Sequence, residues 1–183
     1  MFGFLFSLGS ITLVSAQGAD VETQINMVQP VHQSRLKPVY IVDDVVTGTC
    51  SASLADPRPD AWRCYASNEV YDPCFKMDKK DLICMQSPWV TNVTKVTAAN
   101  ALISENKDFN ALTASPWALT LVDGSECIVS TGATKMINEQ RVNYSCNDGS
   151  FILGSIDQTS TTWKVNKKLN GSTVKINVGV VWY

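Results

Sequence analysis

Six cysteines beside a single histidine constrain this sequence more than any other feature. They are Cys50, Cys64, Cys74, Cys84, Cys127 and Cys146. An even number of thiols either pairs as disulfides or holds a metal, and spacing separates the two cases. Zinc sites show close pairs such as C-x2-C, or cysteine together with histidine. No close pair occurs here, and His32 lies in a polar stretch outside the expected core. Neither a metal nor a cofactor is expected. Six cysteines allow 15 connectivities. Their grouping favours neighbours: Cys50–Cys64, Cys74–Cys84 and Cys127–Cys146. Each bridge closes a short loop, worth roughly 2–4 kcal/mol if unstrained.

Disulfides require an oxidising compartment, and the start of the chain is consistent with export. Phe2 to Val14 is an apolar run broken only by Gly, Ser and Thr, and it ends in Val14-Ser15-Ala16. Signal peptidase cuts after small residues of this kind. The run is shorter than the roughly 20 residues that cross a bilayer. Residues 1–16 therefore read as a signal peptide, with a mature start at Gln17, secreted or periplasmic localisation and no stable membrane insertion after cleavage. Residues 17–38 are mostly polar, contain Pro30 and Pro38, and read as a linker or loosely attached arm. A single β-rich domain is expected over 39–183, beginning near Val39-Tyr40-Ile41-Val42.

Strand signals dominate that domain. Val174, Ile176, Val178, Val180 and Trp182 alternate with Thr173, Lys175, Asn177, Gly179 and Val181, which predicts a strand with one apolar face. Asn170-Gly171 places a turn before it, with Thr161–Val165 as the partner side of a hairpin whose loop exceeds two residues. Asp123-Gly124 and Asp148-Gly149 mark two further turns, so 117–183 reads as a meander of about six strands. Only Thr97 to Asn110 could hold a helix, and a strand followed by a loop fits it equally. Pro57, Pro59, Pro73 and Pro88 punctuate the stretch from Cys50 to Trp89, which reads as an irregular disulfide-braced lobe. The expected class is mainly β: an antiparallel meander, small barrel or sandwich carrying that lobe.

Several phrases are unusual in order and spacing: Arg58-Pro59-Asp60-Ala61-Trp62-Arg63-Cys64, Tyr71-Asp72-Pro73-Cys74-Phe75, Pro116-Trp117-Ala118-Leu119, Asp123-Gly124 with Cys127, and Thr131-Gly132-Ala133-Thr134. Together, from about Gly48 to Trp182, they resemble an exported cysteine-containing domain of bacterial, actinobacterial-type secreted proteins. The resemblance implies export and a framework role for the six cysteines. That family's function is uncharacterised, so the resemblance implies no catalytic residue. The polar stretch Ser104–Ser115 departs from the pattern and reads as a surface loop.

The inventory excludes most chemistry. Nucleophile-and-base schemes need a histidine beside a Ser or Cys. No G-x-S-x-G, H-E-x-x-H, P-loop or EF-hand pattern appears. A net charge of −2 gives no reason to expect nucleic acid. Carboxylates remain. Asp56, Asp60, Glu69 and Asp72 lie among Arg58, Arg63, Trp62 and Tyr71, and these eight residues form the candidate ligand site. A two-carboxylate glycan hydrolase is the catalytic alternative. The structural reading is stronger: Asp56 and Asp72 precede prolines as turn formers, and the arginines pair with Asp60 and Glu69. Most of Trp62, Tyr65, Tyr71, Phe75 and Trp89 are expected in the core. Lys164, Lys167, Lys168 and Lys175 read as a solvated hairpin face rather than a polyanion contact. Asn92, Asn143 and Asn170 match the glycosylation acceptor pattern, by chance if the source is bacterial. A C-terminal aromatic prompts an outer-membrane barrel, which the cysteine-rich lobe disfavours. The expected function is a non-catalytic binding domain for a protein or a cell-envelope glycan.

Overall fold

A computed structural model describes residues 21–103, 108–131, 135–137 and 139–183. The expected signal peptide, residues 104–107 of the expected surface loop, and 132–134 lie outside the described residues. Among the described residues there is no helix, and the mainly β class is observed as two closed sheets.

The first barrel is built from β4 (Ile41–Ala52), β5 (Ala61–Ala66), β6 (Glu69–Lys76), β7 (Asp81–Cys84) and β8 (Asn92–Ala98). The strands meander antiparallel until β8 closes the ring by pairing parallel to β4, Val46 against Val96. Ser67 and Asn68, with φ of 50° and 66°, make the two-residue turn between β5 and β6. Positive φ at both central positions gives a turn whose twist matches the strands. Side chains then alternate. Trp62, Leu82 and Val96 point into the barrel with Cys50, Cys64, Cys74 and Cys84. Ala61, Phe75, Ile83, Met85 and Val93 point outward into a second core.

This is the lobe expected to be irregular, and it is more regular than its prolines suggest. Pro73 lies within β6, not in a turn. The β5–β6 register shifts between Trp62/Cys74 and Cys64/Tyr71, which places Pro73 at a bulge where the ladder needs no N–H from it. Thr97 and Ala98 end β8, and Ala114 N–H donates to Asn110 C=O at 2.9 Å in a turn. The helical alternative for that stretch is therefore not found among the described residues.

The second barrel contains β9 (Ala118–Leu121), β10 (Glu126–Val129), β12 (Gln140–Cys146), β13 (Phe151–Asp157), β14 (Lys164–Leu169) and β15 (Ser172–Trp182), with β11 (Met136–Ile137) attached to β12. Pairing of β15 with β9 closes this ring as well. All three expected disulfides form, each between residues directly opposite on adjacent antiparallel strands. The β14–β15 loop is exactly Asn170-Gly171, both with positive φ, so the hairpin is tighter than expected.

Strand β15 departs from its own alternation. The register with β9 shifts between Val178 and Val180, so a bulge falls at Gly179. Ile176 and Val178 face the barrel interior, but beyond the bulge Val181 and Tyr183 do so instead of Val180 and Trp182. Trp182 turns toward the first barrel. Val174, expected on the buried face, is 55% exposed.

The polar arm expected over 17–38 is docked from its first described residues. Strand β1 (Gln24–Asn26) pairs parallel to the end of β15. Thr23 Oγ1 donates to Val178 C=O and accepts from Trp163 N–H, both at 2.8 Å. A small hairpin of β2 (Val31–His32) and β3 (Arg35–Leu36) follows. Composition registered polar side chains, but the attachment comes from main-chain pairing of β1 together with the Thr23 hydroxyl. Val28 then joins Trp117 and Ala118 against Ala61, Phe75, Ile83 and Val93, one buried layer shared by both barrels.

The bulge makes a prediction that unbroken alternation does not. Val178→Asp and Val181→Asp each bury an unpaired charge and are expected to cost roughly 3 kcal/mol or more. Val174→Asp is expected to be nearly silent. Thermal melts of the three variants check this; equal damage from Val174→Asp would return β15 to a single apolar face.

Candidate functional site

The eight candidate residues divide into a buried scaffold and an open cleft. Ser53 organises the scaffold. Its Oγ accepts from Ala55 N–H at 3.1 Å and Asp56 N–H at 2.8 Å, and donates to Asp72 Oδ1. Asp72 Oδ2 accepts from Leu54 N–H at 3.1 Å and Ala55 N–H at 3.2 Å. Arg63 Nε lies 4.0 Å from the same oxygen while its guanidinium stacks over Tyr65. Burial pushes the Asp72 carboxyl above the usual range, against the pull of these donors.

Asp56 is equally enclosed. It accepts from Arg58 N–H at 3.0 Å and Arg58 Nε at 3.1 Å. Burial raises its pKa despite that arginine. Arg58 Nη1 donates to Val28 C=O at 2.9 Å, and the guanidinium lies over the Phe75 ring. This buried arginine therefore ties the N-terminal arm to the first barrel. Asp60 is exposed, 3.6 Å from Arg58 Nε. Trp62 is core, packed among the disulfides. Asp56, Arg58 and Trp62 thus have almost no surface to offer a ligand.

Glu69 and Tyr71 lie in a cleft of about 340 Å³ at the mouth of the first barrel, whose wall Asp72 reaches from the scaffold. Asp43 and Asn92 line the rim, and Cys84 and Thr94 line it deeper. Tyr71 OH donates to Glu69 Oε2 at 2.9 Å, which holds the phenol above its usual pKa. Asn92 Nδ2 donates to Asp43 Oδ2 at 3.1 Å. Among the described residues no lysine or arginine lines this cleft.

Gly48 shapes the opening. A Cβ there would lie 2.5 Å from Tyr65 C=O, so only glycine lets β4 pass the end of β5. Beyond that crossing no strand of the described residues pairs with β4 on its β5 side. Sequence reasoning missed Asp43, Asn92 and Thr94. The signal was the Asp43-Asp44 pair interrupting an otherwise apolar run, a feature of exposed edge strands.

The sulfurs of Cys64, Cys74 and Cys84 lie within 4.8 Å of one another. All three are consumed in disulfides, so they offer no thiolate to a metal. Such bridges fit folding in an oxidising compartment.

The expected basic face is also altered. Lys167 is buried, and its Nζ lies 2.7 Å from both Asp123 Oδ2 and Asp148 Oδ2 and 2.6 Å from Ser125 Oγ. It locks together the two Asp-Gly turns recognised in the sequence. Lys175 pairs with Asp157 at 2.7 Å.

Two predictions follow from these contacts. Asp72→Asn sets an amide group against one or more of the donors that Asp72 now accepts from, and is expected to cost roughly 1–3 kcal/mol. Asp60→Asn, at an exposed position, is expected to stay within about 0.5 kcal/mol. Melts of the two variants check the ordering. The second concerns pH. Lys167 and Ser150 hold Asp148 well below the usual carboxylate range. Burial opposes the same effect at Asp123, but the bonds from Lys167 and Ser125 outweigh it. Such a depressed carboxylate stabilises the fold above its unfolded pKa of about 3.9 and loses that contribution as pH falls through its folded value. The melting temperature is therefore expected to drop below about pH 4. Lys167→Met should be less stable at neutral pH, with the gap from the parent narrowing in acid. A gap independent of pH would refute the ion network as its cause.

Comparison with protein-family models, curated proteins and solved structures finds no match to this chain, so its site is read from its own geometry.

Proposed function

We propose that this chain is a non-catalytic binding domain, exported from a bacterial cell, that holds a protein or cell-envelope glycan at the mouth of its first barrel. The observation that carries this reading is the cleft bounded by Asp43, Glu69, Tyr71 and Asn92, set in a barrel braced by two disulfides. A crosslinked frame presents polar groups and one aromatic ring without having to order them on binding, which favours affinity. The three disulfides support export. Among the described residues no helix is long and apolar enough to cross a membrane.

The hydrolase alternative draws on Glu69 and Asp72 sharing the cleft. Glycoside hydrolysis needs a carboxyl that gives and takes a proton at the substrate. Both oxygens of Asp72 already accept from Ser53, Leu54 and Ala55, and Asp56 is enclosed by Arg58. These carboxylates shape the loop, which favours binding over turnover.

The test is amide shift mapping of the disulfide-bonded protein against two probes, soluble envelope glycan fragments and a peptide digest of envelope proteins. Saturable shifts at Asp43, Tyr71, Asn92 and Thr94, with the probe's mass unchanged after incubation, are expected. Glycan cleavage that Glu69→Gln abolishes would replace this reading with the hydrolase. Shifts confined to the second barrel would move the site.

A further inference from the structure

Strand pairing leaves the rim of the mouth incomplete, and the gap has the form of a missing strand. From Ile41 to Gly48, β4 pairs with β8 along one side, with a register shift between Val42 and Asp44. Its other side meets β5 only from Thr49 onward, because β5 ends near the Gly48 crossing. No other strand of the described residues pairs with that half of β4. Across the cleft, β6 pairs with β5 over Glu69–Tyr71 but meets β7 only from Cys74.

The unpaired half of β4 is unusual in how it is protected. Exposed edges are generally blunted by charged side chains, lysine above all, by proline, by bulges or by short length, and here the Asp43-Asp44 pair and a register shift between Val42 and Asp44 do this. Residues 41–47 contain neither lysine nor proline. Ile41 and Val45 are 61% and 62% exposed. One amide is covered by the strand itself: Asp44 Oδ1 accepts from Val45 N–H at 2.8 Å. The charges free on this edge and the cleft beside it are Asp43, Asp44 and Glu69, while Asp72 deeper in is already met by Arg63.

From this edge and its charge we infer that β4 accepts an extended, basic segment of a partner protein as an added strand over Ile41–Thr47. Main-chain bonds to the free edge supply the pairing. Lysine or arginine side chains on its cleft-facing side meet Asp43 and Glu69, while β-branched residues pack on its other face. Strand addition of this kind takes affinity from the backbone and selectivity from alternate side chains. A second copy of the same edge is disfavoured, since it would set Asp43 and Asp44 against like charges. The inference rests on the mouth being the binding site and names the chemistry of its partner.

The test uses the disulfide-bonded protein and fluorescein-labelled peptides alternating lysine with valine. The first comparison peptide alternates glutamate with valine. A second carries the lysine sequence N-methylated at alternate residues, which removes the donors of one edge. Fluorescence anisotropy is expected to show saturable binding of the lysine peptide only. Affinity should fall at least about tenfold in the Asp43→Asn/Glu69→Gln double variant, confirmed folded by its melt, and should fall with added salt. Equal binding of the N-methylated peptide would overturn strand addition, and absence of lysine-peptide binding would overturn the inference as a whole. If glycan fragments or neutral peptides still shift Asn92 and Thr94 in that case, the mouth remains the site and its partner is different. If the mouth is silent to every probe, the functional reading fails with the inference.

Discussion

The architecture depends on the last third of β15, where one stretch of backbone is bonded on both sides. Val178, Val180, Val181 and Trp182 pair with β9, while Val180 to Trp182 also pair with β1. The first pairing closes the second barrel. The second ties down the N-terminal arm. The bulge at Gly179 lets one strand serve two cores, sending Val181 into its own barrel and Trp182 to the layer shared with the other. Trp182 meets Trp89 edge-on with ring centroids 6.3 Å apart, a geometry aromatic pairs favour. Without this junction the second barrel would leave an open edge, and the layer shared with the first would lose part of its cover.

Burial also decides what the charged residues do. Asp56, Asp72 and Lys167 were legible as charged positions, yet each side chain is largely covered with its partners already in place. A buried charge persists only when paired or hydrogen-bonded. Asp56 holds Arg58, which reaches across to Val28, so a cluster that resembled a ligand site in sequence is a joint between segments. Lys167 performs the same service between two hairpin turns. The groups left free to meet a partner are Asp43, Glu69 and Tyr71, which stand where strands end rather than where sequence motifs cluster.

The mouth itself is a consequence of barrel geometry. In a small ring whose strands tilt steeply, neighbouring strands overlap over only part of their length. The long β4 overruns the shorter β5, and β6 begins before β7 can reach it. A cleft flanked by unpaired backbone follows from that mismatch, and Gly48 permits the crossing that creates it.

The sequence by itself determined what local chemistry controls. Alternation marked β15 as a strand, Asn170-Gly171 and the Asp-Gly pairs marked turns, and cysteine grouping selected the three short-range bridges. These are legible because each depends on residues within one turn or one hairpin. Tertiary structure alone decided that both sheets close, that a bulge reverses the end of β15, that the polar arm docks through its backbone and that Lys167 is buried. Each of these rests on pairing between segments distant along the chain. Gln24 to Val180 is one such pairing, and nothing in either local sequence records its partner. Side-chain pattern reports which face a strand prefers to bury, but strand register and barrel closure are set by long-range hydrogen bonding between backbones that are chemically alike at every residue.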